Sequence, residues 1–336
     1  MNSKEILKDL VSFNTFNDQE NSKIINYLET YLKKLGFETE YKSKCLVMKT
    51  RQEAKVGFLG HTDTVYGSGW TINPFELKEV DDKLYGLGTS DMKGGIASML
   101  AAVSKIDWKK TKYGMKLIFT YDEEIGFSGI KELIDNKIFF PECMLIGEPT
   151  YNKIINASKG LLEFKVSFLG VSCHSSTPEK GINAIEKGVD FIKKLQRFYK
   201  NLKKISANKE LTMNIGIING GKSINIVPNS CNVCFDFRTT DVEQTEKIMK
   251  KISELTKTFN AKTEVTNNIK PFANKNEKVN MSDFISEASF IESGNKYILG
   301  VGPINAHIID EFISIKSLEK LEEQYLEFIE EKCMKE

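Results

Sequence analysis

The chain has 336 residues, 40% of them hydrophobic and 28% charged, which is enough to bury two cores, so two domains are expected. Its 47 Lys and Arg against 46 Asp and Glu leave a formal charge of +1, which supplies no bulk field for holding nucleic acid or an anionic membrane. A small-molecule partner, recognised locally, is expected instead.

The opening "MNSKEILKDLVSF" carries charges every few residues rather than an apolar signal core, and no run of 18 apolar residues follows; a cytoplasmic protein is expected. Cys45, Cys143, Cys173, Cys231, Cys234 and Cys333 show no disulfide-framework spacing, which suits a reducing compartment. Cys231 and Cys234 form one C-x-x-C, but their flanks in "NSCNVCFDFR" read as a strand and no second pair is near, so a structural role is expected rather than zinc or redox chemistry.

"NSKIINYLETYLKKLGF" places Ile24, Leu28, Leu32 and Leu35 at helical spacing and stops at Gly36, which predicts an amphipathic helix. Four short apolar runs each lead to acid or imidazole. "KVGFLG" runs into His61 and Asp63, "MKLIFTY" into Asp122, Glu123 and Glu124, "CMLIG" into Glu148, and "KYILGVG" shortly precedes His307. In open α/β sheets the strand C-termini line the ligand crevice. With interleaved helices such as "GGIASMLAAVSKI", this predicts a mostly parallel sheet flanked by helices. From residue 161 to 268 the order changes to strand, helix, strand, strand, helix, strand, the ferredoxin-like arrangement of an inserted α+β domain. In its first helix Ile182, Ile185, Val189, Ile192, Leu195 and Leu202 are expected on one stripe. Residues 269–336 add a strand and the closing helix "SLEKLEEQYLEFIEEK", and are expected to complete the domain begun by residues 1–160.

The chain has three histidines, His61, His174 and His307. His61 and Asp63 leave a strand at i and i+2, where a carboxylate can accept the second ring N–H of a ligating imidazole. Asp91 sits in the glycine-rich turn "LGTSDMKGG", which matches neither a dinucleotide nor a P-loop pattern. Glu123, Glu124 and Glu148 follow buried strands, and clustered buried carboxylates stay ionised only beside a cation. Imidazole and carboxylate without thiolate suit zinc, cobalt or manganese, and a carboxylate shared by two ions suits a two-metal hydrolase.

The ordered motifs "GHTDTV", "GTSDMKGG", "DEEIG", "GEPT", "CHSSTPEKGINAIE" and "NAHIIDEF" resemble those of the co-catalytic zinc hydrolases. That family includes acetylornithine deacetylase, succinyl-diaminopimelate desuccinylase, aminoacylase and carboxypeptidase G. The resemblance spans essentially the whole chain. It implies two Zn²⁺, with Co²⁺ or Mn²⁺ as alternatives: His61, Asp91 and Glu148 around one, Asp91, Glu124 and His307 around the other. Asp63 would orient His61, and Glu123 would take a proton from the metal-bridging water and return it to the leaving amine. The insert would be a lid and dimerisation domain, giving a homodimer. His174 would donate to the tetrahedral oxyanion, in an active site of the partner subunit, while Asn225 and Arg238 would hold the substrate carboxylate. Two departures stand out: Cys173 where the family often has glycine, and no proline after "HTDTV".

The expected activity is removal of an acyl group from an N-acyl-L-amino acid, leaning to an acetylornithine deacetylase in amino-acid biosynthesis through "CHSSTPEKGINAIE", "SEASF" and "INAHIIDEF". The alternatives are a desuccinylase, or a dipeptidase or carboxypeptidase of the same architecture. A non-catalytic binding protein is the remote reading, disfavoured because a binding module needs no base at Glu123.

Overall fold

The computed structural model describes all residues except 17–18, 66–67, 207–209, 293, 304 and 335–336; the position of the absent proline after Val65 therefore lies outside the described residues. Two compact units are present. One comprises Met1–Ala157, Ala273–Met281 and Ser286–Glu336, the other Ser158–Phe272 and Ser282–Ile285.

The first unit begins with helix α1 (Ser3–Val11), where Asn2 and Glu5 exchange hydrogen bonds in a capping box, and α2 (Asn21–Lys34). There follow β1 (Glu38–Lys42), β2 (Leu46–Lys49), β3 (Ala54–His61), β4 (Lys78–Val80), β5 (Lys83–Tyr85), α3 (Gly94–Ser104), β6 (Gly114–Thr120), α4 (Ser128–Asp135) and β7 (Cys143–Ile146). The two-residue strand β8 (Ala157–Ser158) lies where the chain passes into the second unit. That unit holds β9 (Gly160–Leu169), α5 (Ala184–Ile205), β10 (Thr212–Gly220), β11 (Ser230–Thr239), α6 (Val242–Thr258) and β12 (Lys262–Ile269). At the return crossings lie β13 (Phe272–Ala273) and β14 (Met281–Ser282), and the first unit then closes with β15 (Asn295–Ile298), β16 (Phe312–Ser314) and α7 (Ile315–Cys333).

The main sheet has the order β1-β2-β6-β3-β7-β15. Its β6, β3, β7 and β15 run parallel to one another, while β1/β2 and β2/β6 pair antiparallel. Strand β6 is buried along its whole length, as a parallel strand covered on both faces must be. Its Met115, Leu117 and Phe119 join one core with Phe58 of β3, Ile96 and Leu100 of α3, and Leu318 and Tyr325 of α7. The Phe58 ring lies edge-on at 5.7 Å from Tyr325 and 6.5 Å from Phe119, and each such buried ring contributes about 2 kcal/mol. Helix α3, with no polar face to expose, is buried on all sides. The four parallel strands end at one edge of the sheet, so the residues that follow them converge there.

The second unit is an antiparallel sheet of order β10-β11-β9-β12 with α5 and α6, the ferredoxin-like arrangement. Alternate residues of β9 and β11 face the helices. Phe164 opposes Phe235 with rings 5.3 Å apart, and Val166 opposes Val233. The core face of α5 keeps four of the expected residues, Leu195 and Leu202 buried and Ile185 and Ile192 half-buried against the same core, and adds Ala184, Gly188 and Phe191, while Val189 is exposed and Ile182 precedes the helix. Asn183 is the reason. Its side chain accepts from the N–H of Ile185 and Glu186, so the helix starts after it, and its face follows the 4-3-4 spacing through Phe191. Cys231 and Cys234 stand three apart on β11 and so point to opposite faces, a placement no shared metal or disulfide can use.

Candidate metal centre

At the C-terminal edge of the main sheet the backbone delivers a cluster of charged side chains. His61 is the last residue of β3, Glu123 and Glu124 follow β6 by a tight turn, and Glu148 lies two residues beyond β7. The turn is built by Asp122, at φ +56°, whose carbonyl accepts from Gly126 and Phe127 and whose carboxylate accepts from the Ser128 hydroxyl. Asp122 thus holds the turn's shape. Asp91 comes from the irregular turn Thr89–Lys93 before α3, which leaves helical geometry at Asp91 itself. A Cβ on Gly95, in the first turn of α3, would lie 2.4 Å from the Gly147 carbonyl oxygen. Only glycine lets the start of that helix approach the end of β7 so closely. His307 sits in the loop after β15, at φ +63°.

Asp91 is the centre of the arrangement. Its Oδ1 lies 3.0 Å from Nε2 of His61 and its Oδ2 3.8 Å from Nε2 of His307. Glu148 Oε1 stands 3.7 Å from His61 Nε2, and Glu124 Oε2 stands 2.9 Å from His307 Nε2. The ligand-type atoms of His61, Glu123 and Glu148 fall within 4.8 Å of one another, as do those of His61, Asp91 and Glu124. His61 Nδ1 lies 3.0 Å from the Asp63 carbonyl and 3.4 Å from its carboxylate, an arrangement that places a ring proton on Nδ1 and leaves Nε2 facing the acids. Asp63 Oδ2 also accepts from the Glu124 N–H at 3.2 Å.

The electrostatics are those of a cation site. Burial pushes the Glu123 carboxyl well above the usual range, opposed by His61 and reinforced by Glu287, Glu124 and Asp91; Glu148 is pushed up by burial and then by Asp91 and Glu123. Burial alone would depress His61, but its bonds to Asp63 and Asp91 and the nearby Glu148 charge drive it well above its ordinary value. Glu124 Oε1 is buried without a hydrogen-bond partner. Acids so crowded, with a buried oxygen unmatched, fit divalent cations, and two imidazoles with carboxylates form a donor set for zinc, cobalt or manganese.

The residues expected from the second unit take a different form. His174 is exposed; its Nδ1 accepts from the Ser176 N–H at 3.2 Å, which leaves the outward Nε2 as the N–H donor. It lies beside Asn225 through a short bridge: Ser175 N–H donates to the Asn225 carbonyl at 3.0 Å and Val227 N–H to the Cys173 carbonyl at 2.9 Å. Arg238, on β11, lies 3.6 Å from the Asp236 carboxylate on the same face of the strand. Cys173 packs its sulfur against Gly181, where a Cβ would come within 2.6 Å.

Two buried acids beside the centre were not expected. Glu311, 3% exposed, accepts from three backbone N–H groups of the Asp91 turn. Glu287, 1% exposed, accepts from the Thr120 hydroxyl at 2.8 Å while its other oxygen has no partner. Both sit in stretches quoted above, "NAHIIDEF" and "SEASF", but Glu311 follows Asp310 and Glu287 lies between Ser286 and Ala288, so no local signal marks either. Burial pushes Glu287 up to about 8, against the pull of His61 and the Thr120 bond. The unfolded carboxyl ionises near its ordinary value while the folded one keeps its proton, so stability is lost as pH rises toward about 8. Glu287→Gln in chelator-treated protein should therefore gain several kcal/mol at pH 8 and nothing at pH 4. Urea unfolding at both pH values checks this, and equal gains at the two would sink it.

Similarity to known proteins agrees with this geometry. Residues 57–331 match the profile of peptidase family M20/M25/M40. Acetylornithine deacetylase of Proteus mirabilis is 32% identical across 95% of this chain and 92% of its own. That of Pasteurella multocida is 37% identical over 66% of this chain, a match spanning 62% of the relative's length. Aminopeptidase PepT from Bacillus cereus shares the fold with a TM-score of 0.81 at 22% identity, covering 98% and 97% of the two chains. The Bacillus subtilis YXEP protein, described as a dinuclear metal-binding peptidase, has a TM-score of 0.71 at 13% identity, with 97% of each chain covered. With the profile matched over most of its length, the chain belongs to peptidase family M20/M25/M40.

Proposed function

We propose that the protein hydrolyses the amide bond of an N-acyl-L-amino acid in the manner of acetylornithine deacetylase, using two divalent cations, zinc foremost. The observation that carries this reading is Asp91, whose two oxygens face two different imidazoles at 3.0 and 3.8 Å. His61 and Glu148 would hold one cation and Glu124 and His307 the other, with Asp91 shared. Such cations polarise the scissile carbonyl and make water acidic enough to react near neutral pH.

The chain's own groups account for the rest. Asp63 fixes the His61 ring through Nδ1. Glu123, buried and held above its ordinary carboxylate range by that burial, takes the proton of the attacking water and gives it to the departing amine as the C–N bond breaks. His174 presents an Nε2–H suited to an oxyanion, and Asn225 and Arg238 offer an amide and a guanidinium suited to a carboxylate. The reading includes a homodimer formed through the second unit, whose outer strand β10 shows Ile217 and Ile218 more than half exposed. It also includes a cytoplasmic location. Among the described residues no helix is long and apolar enough to cross a membrane.

A hydrolysis panel with zinc- or cobalt-loaded protein tests the substrate. Amine release from N-acetyl-L-ornithine is expected to exceed release from N-succinyl-diaminopimelate and from dipeptides by at least about tenfold in kcat/KM, a difference of about 1.4 kcal/mol in transition-state binding. Preference for dipeptides would replace this reading with the peptidase one. No turnover of any acylated amine by fully loaded protein would leave only a binding role.

A further inference from the structure

Asp91 can serve two cations only if its backbone holds both oxygens in place, and the turn that carries it has little regular structure. The backbone leaves helical geometry at Asp91 and Met92, and Gly88 at its start has φ +79°. Glu311, in the loop leading into β16, compensates. Its Oε1 accepts from the N–H of Ser90 at 2.6 Å and of Asp91 at 3.0 Å, and its Oε2 from that of Gly88 at 2.9 Å. Its own carbonyl accepts from the Gly86 N–H at 3.1 Å, and the Ser90 hydroxyl donates to Pro303 at 3.0 Å. Glu311 stands four residues after His307, so these bonds join the turn bearing one ligand to the loop bearing another.

We infer that Glu311 is a positioning residue of the metal centre, aiming Asp91 between His61 and His307. This rests on reading Asp91 as the shared cation ligand. The chemistry requires a carboxylate: three N–H groups converge on two acceptor oxygens, an anion-binding concavity in the sense of a backbone nest. A glutamine fits the space but offers one acceptor and turns an NH₂ donor against an N–H donor. The Asp91 turn would shift, with Glu311 itself never touching substrate.

The test measures cation affinity. Full-length wild type, Glu311→Gln and Glu311→Asp are stripped of metal and titrated with Zn²⁺ against a chromogenic chelator, with thermal unfolding of each metal-free protein recorded. Glu311→Gln is expected to bind Zn²⁺ about 10- to 100-fold more weakly, the usual cost of removing a group that orients a metal ligand, while its metal-free form still unfolds cooperatively. Wild-type affinity in the folded variant would overturn the inference and leave Glu311 with stability alone. Should Glu311→Gln fail to fold, Glu311→Asp decides: weakened affinity supports the positioning role, and undiminished affinity overturns it. The underlying reading fails separately, if wild type takes up fewer than two equivalents or Asp91→Asn binds as tightly as wild type.

Discussion

Glu123→Gln is expected to lower kcat by about 10²- to 10⁴-fold, the usual contribution of a positioned proton carrier, while both cations remain bound. The side chain keeps its volume but can no longer accept the proton. Glu123 also lies among like charges, close enough to His61 and Glu148 to be counted with the ligands on distance alone. If it were a ligand, Glu123→Gln would release metal; if it is the base, stoichiometry stays at two and only turnover falls. A second readout follows from its raised proton affinity. Burial and the acids around it hold the folded carboxyl protonated above the pH at which the unfolded one ionises, so metal-free wild type loses stability as pH rises past the ordinary carboxylate range. The variant escapes that loss. Metal-free Glu123→Gln should unfold at a higher temperature than metal-free wild type at neutral pH, with the difference closing near pH 4. Metal content by elemental analysis and calorimetry at the two pH values decide the matter; a variant with full turnover refutes the assigned base.

Asp91→Asn should remove most of both sites at once. An asparagine presents one oxygen and one NH₂, so one of the two imidazoles would face a donor instead of an acceptor, and no carboxylate would remain to be shared. Loss of several kcal/mol of charge stabilisation corresponds to at least about 10³-fold in activity. Stability should respond differently with and without metal. The metal-free variant is relieved of one acid beside Glu148, Glu123 and Glu311 but loses the partner of the buried His61, two opposed effects that should leave it close to metal-free wild type. In excess zinc, wild type should gain the stabilisation of a ligand that binds only the folded chain, and Asp91→Asn should gain much less. A variant that still carries two equivalents and shows the full thermal rise would remove Asp91 from the shared position.

Much of the first unit was legible because function follows secondary structure there. Apolar runs ending in His61, Glu123, Glu124 and Glu148 marked strands whose ends had to share an edge, and parallel order did the rest. The second unit was legible through its period of two: Phe164, Val166, Val233 and Phe235 alternate with polar residues, as a sheet covered on one face must. What escaped reading acts through backbone or through burial. Glu311 is one acid in "IIDEF", and nothing local distinguishes it from Asp310, which instead caps Thr71 on the surface. The three N–H groups it accepts from lie about 220 residues earlier. The α5 stripe was misread at Ile182, counted into a helix that begins after Asn183, and at Val189, which is exposed. The chain crossings between units use strands of two residues, too short to show any period.

The contact between Gly95 and Gly147 bears on how a mutational map of this protein would read. A methyl on Gly95 would meet the Gly147 carbonyl at 2.4 Å, and one on Gly147 would meet Met92 Cε at 2.4 Å and Phe58 Cζ at 2.9 Å. Such a methyl acts as a wedge between the segment that follows Asp91 and the one that leads to Glu148. A saturation screen scored on activity would therefore place these two positions beside the acids and histidines, though neither has a side chain to react with anything. Metal uptake measured on the same library would show the wedge for what it is, a displaced pair of ligands rather than a missing one.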